Sequence, residues 1–162
     1  MSQLPATGER LRFLARVAGK EARHLLLTDD RLFAVAPTPE KVATLETTPD
    51  LAERVDAFVS RFARLQDTLG DKLLPLVLTA LGEEVSAMID NLDRAERLGL
   101  IPGAEHWMVM RRLRNQMIHD YVEDPLVLAD ALDAAHRYVP VLVEVANRLR
   151  AEIERRGWAD VD

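Results

Sequence analysis

The sequence contains no cysteine among its 162 residues. Disulfide bonds, thiolate nucleophiles and cysteine-based zinc or iron–sulfur sites are therefore excluded. Glycine and proline are scarce, with seven and eight residues, and aromatic residues make up only 5% of the chain. Because Leu, Ala, Arg and Glu dominate instead, the composition favours helix over strand.

Long apolar segments are also missing. The longest apolar run, around residues 73–81, contains Pro75 and is far too short to span a bilayer. Residues 1–12 lack the apolar stretch of a signal peptide. We therefore expect no association with a membrane and a cytoplasmic location.

The charge balance is acidic, because 21 Lys and Arg residues face 27 Asp and Glu residues, giving a formal net charge of −6 at pH 7. Such a protein repels the phosphate backbone of nucleic acids at long range. Any chemistry on nucleic acid would therefore depend on a local cationic pocket. The hydrophobic share of 48% is enough for a sizeable core, and the length suits one domain.

Apolar residues recur at intervals of three and four along most of the chain, a pattern that predicts amphipathic helices. No window shows the alternation of a strand, so we predict an all-α protein folded as an antiparallel helical bundle. The predicted elements are helix 9–26, a turn at 28–31, a short helix from Pro39, a long helix from Pro49 that bends or breaks at Gly70 and Pro75, and helices 83–98, 102–121 and 125–156.

The sequence gives little indication of a metal or cofactor site. The four histidines, His24, His106, His119 and His136, lie far apart, and none has the i, i+4 spacing of a helical metal site. No glycine-rich phosphate loop or nucleophile elbow is visible. We therefore expect no metal ion and no cofactor.

Residues 111–121, RRLRNQMIHDY, bring arginines, amides, a histidine, a carboxylate and a tyrosine into one helix and its C-terminal end. Asn115 and His119 are i, i+4 neighbours on one face. Arg114 and His119 are five residues apart, so they differ by about 140° around the helix. A long arginine side chain partly closes that gap, and a symmetric dimer that pairs this helix with its copy would close it further.

Arg114 and His119 are suited to metal-free cleavage of RNA. A histidine near neutral pH can take the proton from a 2′-hydroxyl group, and an arginine can hold the charge that develops on the phosphate oxygens. The residues alone leave other interpretations open. A histidine near a helix end often lies at the surface or caps the helix, and an arginine often covers apolar surface or pairs with an acid.

The pattern Arg114-Asn115-(three residues)-His119-Asp120-Tyr121 resembles the Arg-x4-His-x-Tyr signature of the HEPN superfamily, in particular HepT-like toxins. The segment 61–81, with Gln66-Asp67, also resembles HEPN-like chains found near nucleotidyltransferases. The resemblance covers about residues 50–156. It divides the single domain 1–162 into a HEPN-like core of about 50–156 and an N-terminal helical extension, 1–47.

The resemblance implies a homodimeric, metal-independent endoribonuclease toxin whose active site forms where two motif helices meet. Arg114 and His119 would then be the catalytic pair. Arg111, Asn115 and Asp120 would bind RNA phosphates or support the site.

The resemblance also implies a partner. In HepT-like systems the motif tyrosine, here Tyr121, accepts AMP from a cognate minimal nucleotidyltransferase of the MNT type, which acts as the antitoxin. Two alternatives stay open at this point. The chain could be a non-catalytic substrate-binding subunit or partner of a nucleotidyltransferase, or a plain helical scaffold in which the motif is coincidental.

Overall fold

The computed structural model describes residues 3–119 and 123–158, and within these ranges the chain is helical and contains no strand. The prediction of an all-α protein is therefore confirmed. The elements are α1 Gln3–Leu32, α2 Pro39–Val42, a 3-10 helix Leu45–Thr47, α3 Pro49–Asp67, a π-helix Thr68–Leu73, α4 Leu74–Ala80, α5 Met88–Arg97, α6 Ala104–His119 and α7 Pro125–Arg155.

Helices α1 and α3 pack against each other in antiparallel directions. The Arg61 guanidinium group donates to the backbone carbonyl of His24, whereas the Thr68 hydroxyl group, later in the chain, donates to the earlier Glu21 carboxylate. Residue numbers therefore rise along α3 as they fall along α1. These contacts hold α3 beside α1 and place the C-terminal end of α3 near the middle of α1.

Helices α1 and α7 are antiparallel by the same argument. Asp29 near the end of α1 bonds to His136 in the first half of α7, with 2.7 Å between Oδ1 and Nδ1. Gly19 in the middle of α1 lies against Arg150 near the end of α7, where an added Cβ would come within 2.9 Å of Cζ. The first helix thus packs directly against the last one.

The core forms along the helical seams that the sequence indicates. The predicted seam of α7 is at most 1% exposed at every position, which is the burial expected for an amphipathic helix in a bundle. The buried seam residues are Leu128, Leu132, Ala135, Val139, Leu142, Ala146, Leu149 and Ile153 on α7, and Leu11, Leu14, Ala18, Ala22 and Leu25 on α1.

The predicted turn at residues 28–31 is wrong, because α1 continues to Leu32. The Thr28 hydroxyl group donates back to the carbonyl of His24 at 3.0 Å, within the helix. Asp29 is buried against α7 through its bond to His136. Polar side chains that would favour a turn if exposed are instead engaged by the helix and its neighbour.

Helix α5 begins at Met88 and not at residue 83 as predicted. The segment before it is fixed by Asn91, whose Oδ1 accepts from the Ser86 amide at 2.9 Å and whose Nδ2 donates to the Ser86 carbonyl at 3.1 Å. The start of α7 agrees with the prediction, since the Asp124 carboxylate caps it by accepting from the Leu126 amide at 3.0 Å.

None of the helices in residues 3–119 and 123–158 combines the length and the apolar character that crossing a bilayer requires.

Candidate functional site

The π-helix at Thr68–Leu73 packs against α6 where Gly70 meets Trp107. A Cβ atom added to Gly70 would lie only 2.8 Å from Cζ2 of Trp107 on α6, so the indole ring packs directly on the glycine backbone. The sequence predicts a bend or break at Gly70 and Pro75. The structure has a wider π-helical turn at Gly70, and α4 then begins with Pro75 in its first turn. Single π-turns of this kind are frequent at functional sites.

Arg114 lies about two helical turns after Trp107 on α6. Its side chain extends towards the end of α3. Its Nη2 donates to Oδ2 of Asp67 at 2.9 Å, and its Nη1 donates to Oδ1 of Asn115 at 3.0 Å. The Arg114 and Asp67 side chains are 28% and 41% exposed. A partly exposed pair of this kind contributes at most about 1 kcal/mol to stability, so it orients the guanidinium group more than it holds the helices together.

Arg114 is one wall of a cavity of about 200 Å³ between α3, the π-helix and α6. Its lining includes two arginines and two aspartates, so the formal charges of these four groups cancel. The residues that line the cavity are Gln66, Asp67, Asp71, Trp107, Arg111 and Arg114.

Gln66 is the most unusual member of this lining. It is only 3% exposed, and neither Oε1 nor Nε2 has a hydrogen-bond partner among the described residues. Leaving a buried polar atom without a partner costs about 1–3 kcal/mol. Nε of Arg114 is buried without a partner as well. These buried atoms of two cavity-lining residues therefore have hydrogen-bonding capacity that no other described residue uses.

A second buried polar contact lies on the α1 side of the π-helix. The Thr68 hydroxyl group donates to Oε1 of Glu21 at 3.1 Å, and Oε2 of Glu21 is buried without a partner among the described residues. Burial raises the pKa of the Glu21 carboxyl group, and the Thr68 hydrogen bond and the charges of Arg64 and Lys72 only partly oppose this rise.

The structure places three of the predicted site residues together. Arg111 and Arg114 line the same cavity, and Asn115 is bonded to Arg114. His119 does not line this cavity. It is the last residue of α6 and is exposed. Within one chain, therefore, the described structure does not bring the guanidinium and imidazole groups into one cavity.

The remaining predicted site residues, Asp120 and Tyr121, lie outside the described residues.

Sequence reasoning did not assign Gln66, Asp67, Asp71 or Trp107 to the site. One signal for Gln66 was present: it lies four residues after the buried Phe62, so a helix places it on the inward face of α3, where a polar side chain needs a reason. The pairing of Asp67 with Arg114 joins residues 47 positions apart, and no local pattern indicates such a contact.

No cluster of three or more His, Asp or Glu side chains that could hold a metal ion occurs in the part of the chain that the structure describes. Comparisons of this chain with protein-family models, with curated proteins and with solved structures find no match.

Proposed function

We propose that the protein is a HEPN-type endoribonuclease toxin that cuts RNA without a metal ion, with Arg114 and His119 as its catalytic residues. Since α6 carries the two groups on different faces, the proposal places Arg114 of one protomer beside His119 of its partner in a homodimer. The observation that carries the proposal is the Arg114 guanidinium group, held at the edge of a polar cavity by Asp67 and Asn115.

The proposed reaction begins when the His119 imidazole accepts the proton of a 2′-hydroxyl group. The 2′-oxygen attacks the adjacent phosphorus, the bond from phosphorus to the 5′-oxygen breaks, and that oxygen leaves with a proton from solvent water. The His119 imidazolium then returns the proton it accepted to the solvent. The products are a 2′,3′-cyclic phosphate and a 5′-hydroxyl end. Arg114 stabilises the charge on the non-bridging oxygens through the donors that Asp67 and Asn115 leave free. Arg111, on the same cavity wall, adds a second positive charge.

The test is cleavage of single-stranded RNA by the purified full chain in the presence of EDTA. Arg114→Ala and His119→Ala are each expected to lower the rate by about 100-fold or more. Arg112→Ala and His106→Ala are the matched controls, because they change the same residue types on the same helix at exposed positions outside this cavity.

If the controls and the two variants cleave RNA equally well, the catalytic assignment is wrong. The cyclic-phosphate product provides a second check. A contaminating metal-dependent nuclease would leave other ends and would lose its activity in EDTA, independently of Arg114 and His119.

The second candidate is a non-catalytic subunit that binds substrate for a nucleotidyltransferase or docks to it. Two observations favour it. The net charge of −6 repels RNA at long range, and the Asp67 carboxylate already pairs with the Arg114 guanidinium group. Purified protein that leaves RNA intact at every pH, yet binds a small nucleotidyltransferase encoded by the neighbouring reading frame, would support this candidate over the first.

The toxin proposal gives Tyr121 the role of AMP acceptor. Incubation with the cognate nucleotidyltransferase and ATP is expected to add the mass of AMP to the parent protein and not to a Tyr121→Phe variant. An equal gain of mass by the variant would place the modification on another residue. The other tyrosine, Tyr138 on α7, provides the matched control as Tyr138→Phe.

A further inference from the structure

The cavity beside Arg114 contains a buried amide group that the fold itself does not use. Gln66 is 3% exposed, lines the cavity, and has no partner for either side-chain heteroatom among the described residues. A leucine or methionine of similar size would fill this inward-facing position without the desolvation penalty. The amide therefore indicates recognition of a group that enters the cavity.

The charged groups around the amide indicate what kind of molecule enters. Asp67 is paired with Arg114, whereas Arg111 and Asp71 make no ion pair with any described residue. The cavity thus presents guanidinium donors on the α6 side and a carboxylate acceptor on the π-helix side, with no net charge. A bare anion would meet the Asp71 carboxylate. A neutral planar ring with acceptors on one edge and donors on another would satisfy both walls.

Guanine has this arrangement. Its O6 and N7 atoms accept two hydrogen bonds from an arginine, and its ring N–H and amino groups are neighbouring donors that a carboxylate accepts. Bases of single-stranded RNA are commonly read on both of these edges, and an aromatic or apolar wall adds contact with the ring. Trp107, although 2% exposed, is one of the lining residues, and a volume of about 200 Å³ admits one base and not a duplex.

We propose that the cavity binds one unpaired guanine base, with Arg111 and Asp71 on its two edges and the Gln66 amide completing its hydrogen bonds. The proposal rests on the proposed ribonuclease function and deepens it, because Arg114 at the same cavity would hold the phosphate next to this base. Cleavage is then expected beside guanine in single-stranded RNA.

Binding of the four nucleoside 5′-monophosphates to the intact protein tests the pocket without requiring catalysis or a dimer. Calorimetry gives the affinity, and the indole N–H resonance of Trp107, assigned with a Trp158→Phe variant, reports the location. GMP is expected to bind about tenfold or more tightly than AMP, CMP and UMP, because each well-made pair of hydrogen bonds discriminates between bases to about that extent. Equal binding of all four nucleotides overturns the proposal.

Gln66→Leu separates recognition from a purely structural role. It is expected to weaken GMP binding about tenfold while leaving the unfolding temperature unchanged or higher, because an unsatisfied buried amide is removed. The matched control is Gln116→Leu, at an exposed position of α6. A Gln66→Leu variant that binds GMP as the parent does, or that loses stability without losing affinity, contradicts the proposal.

Asp71→Asn provides a second variant, at an exposed position whose substitution leaves the core untouched. It is expected to reduce the preference for GMP over AMP, because an amide no longer accepts two hydrogen bonds from guanine. An unchanged preference counts against the pocket.

Cleavage assays on the same samples distinguish the two proposals. RNA cleavage that depends on His119 but shows no preference for guanine would contradict the guanine pocket and support the ribonuclease proposal. GMP binding that depends on Gln66, in a protein that cuts no RNA, would contradict the ribonuclease proposal and support the guanine pocket.

Discussion

Glu21 and Gln66 are polar side chains held near the π-helix without a full set of hydrogen bonds from the described residues. The two side chains have different surroundings, so their unsatisfied polar atoms have different effects on the protein. Gln66 is one of the residues that line the cavity, and we propose that an entering molecule satisfies its amide group. Glu21 faces the interior between α1 and the π-helix, where burial raises the pKa of its carboxyl group. Its ionised form is therefore a cost to the folded protein at neutral pH.

Replacing Glu21 by glutamine is expected to stabilise the protein at neutral pH. The amide oxygen still accepts the hydrogen bond from Thr68, and the penalty for burying a negative charge disappears. The unfolding temperature at pH 7 is expected to rise by about 1–3 °C. Thermal unfolding followed by circular dichroism between pH 4 and pH 8 measures it.

The stabilising effect of Glu21→Gln is expected to depend on pH. The folded Glu21 carboxyl group keeps its proton to higher pH than the unfolded one, so its contribution to stability falls as the pH rises through that interval. The advantage of Glu21→Gln should therefore vanish below about pH 4.5, where both states are protonated. Glu9→Gln, at an exposed position of α1, is the control. An advantage that is independent of pH would contradict the assigned cause.

At the level of single residues, the sequence predicts the chemistry of the candidate site but not its geometry. The spacing of Arg114 and His119 is visible because it is local. The position of Asp67 beside Arg114 depends on the packing of α3 against α6, and so does the cavity that the two helices enclose. Contacts between distant residues of this kind follow from the fold and have no local signature.

The π-helix is the element on which the site depends. Its wider turn presents Asp71 to the cavity and sets the Gly70 backbone against the Trp107 indole ring. Trp107 is only 2% exposed, so it has little space to move away from a new atom. The close contact of the π-helix with α6 therefore requires glycine at position 70.

Gly70→Ala is expected to destabilise the protein by about 1–3 kcal/mol, because the new Cβ atom would lie 2.8 Å from Cζ2 of Trp107. The higher helix propensity of alanine, worth about 1 kcal/mol, opposes this loss without cancelling it. Chemical denaturation provides the measurement.

A double variant shows whether the indole ring is the cause. Gly70→Ala combined with Trp107→Phe should be less destabilised than the sum of the two single variants, because phenylalanine lacks the atoms that the new methyl group meets. Strict additivity, or a Gly70→Ala variant as stable as the parent, would show that this contact does not constrain the turn.

Helix existence follows from the sequence more readily than helix ends. The seams of α1 and α7 are buried as the periodicity predicts, since packing of an amphipathic face dominates helix stability. The predicted end of α1, Leu26, lies six residues before its observed end at Leu32, because Thr28 and Asp29 favour turns when exposed. Their burial against α7 reverses that preference, and only the tertiary structure contains this information.

At the scale of the whole molecule, one chain provides an all-α bundle with the two motif groups on different parts of α6. Arg114 is half-buried in the cavity with α3, whereas His119 is exposed at the helix end. The catalytic proposal therefore requires a second copy, and the proposed composite site would belong to an assembly of two chains.

Mixing two inactive variants tests this composite site. If each site takes Arg114 from one protomer and His119 from its partner, equal amounts of Arg114→Ala and His119→Ala chains should regain roughly a quarter of the parental cleavage rate. Half of the dimers are then mixed, and one of their two sites is intact. Native mass spectrometry verifies that chains have exchanged, and a mixture of Arg112→Ala with His106→Ala serves as the active control. If mixed dimers form and remain inactive, the two groups do not act across a subunit interface. If the protein stays monomeric while the parent cleaves RNA, α6 must bring them together within one chain, against their separation here.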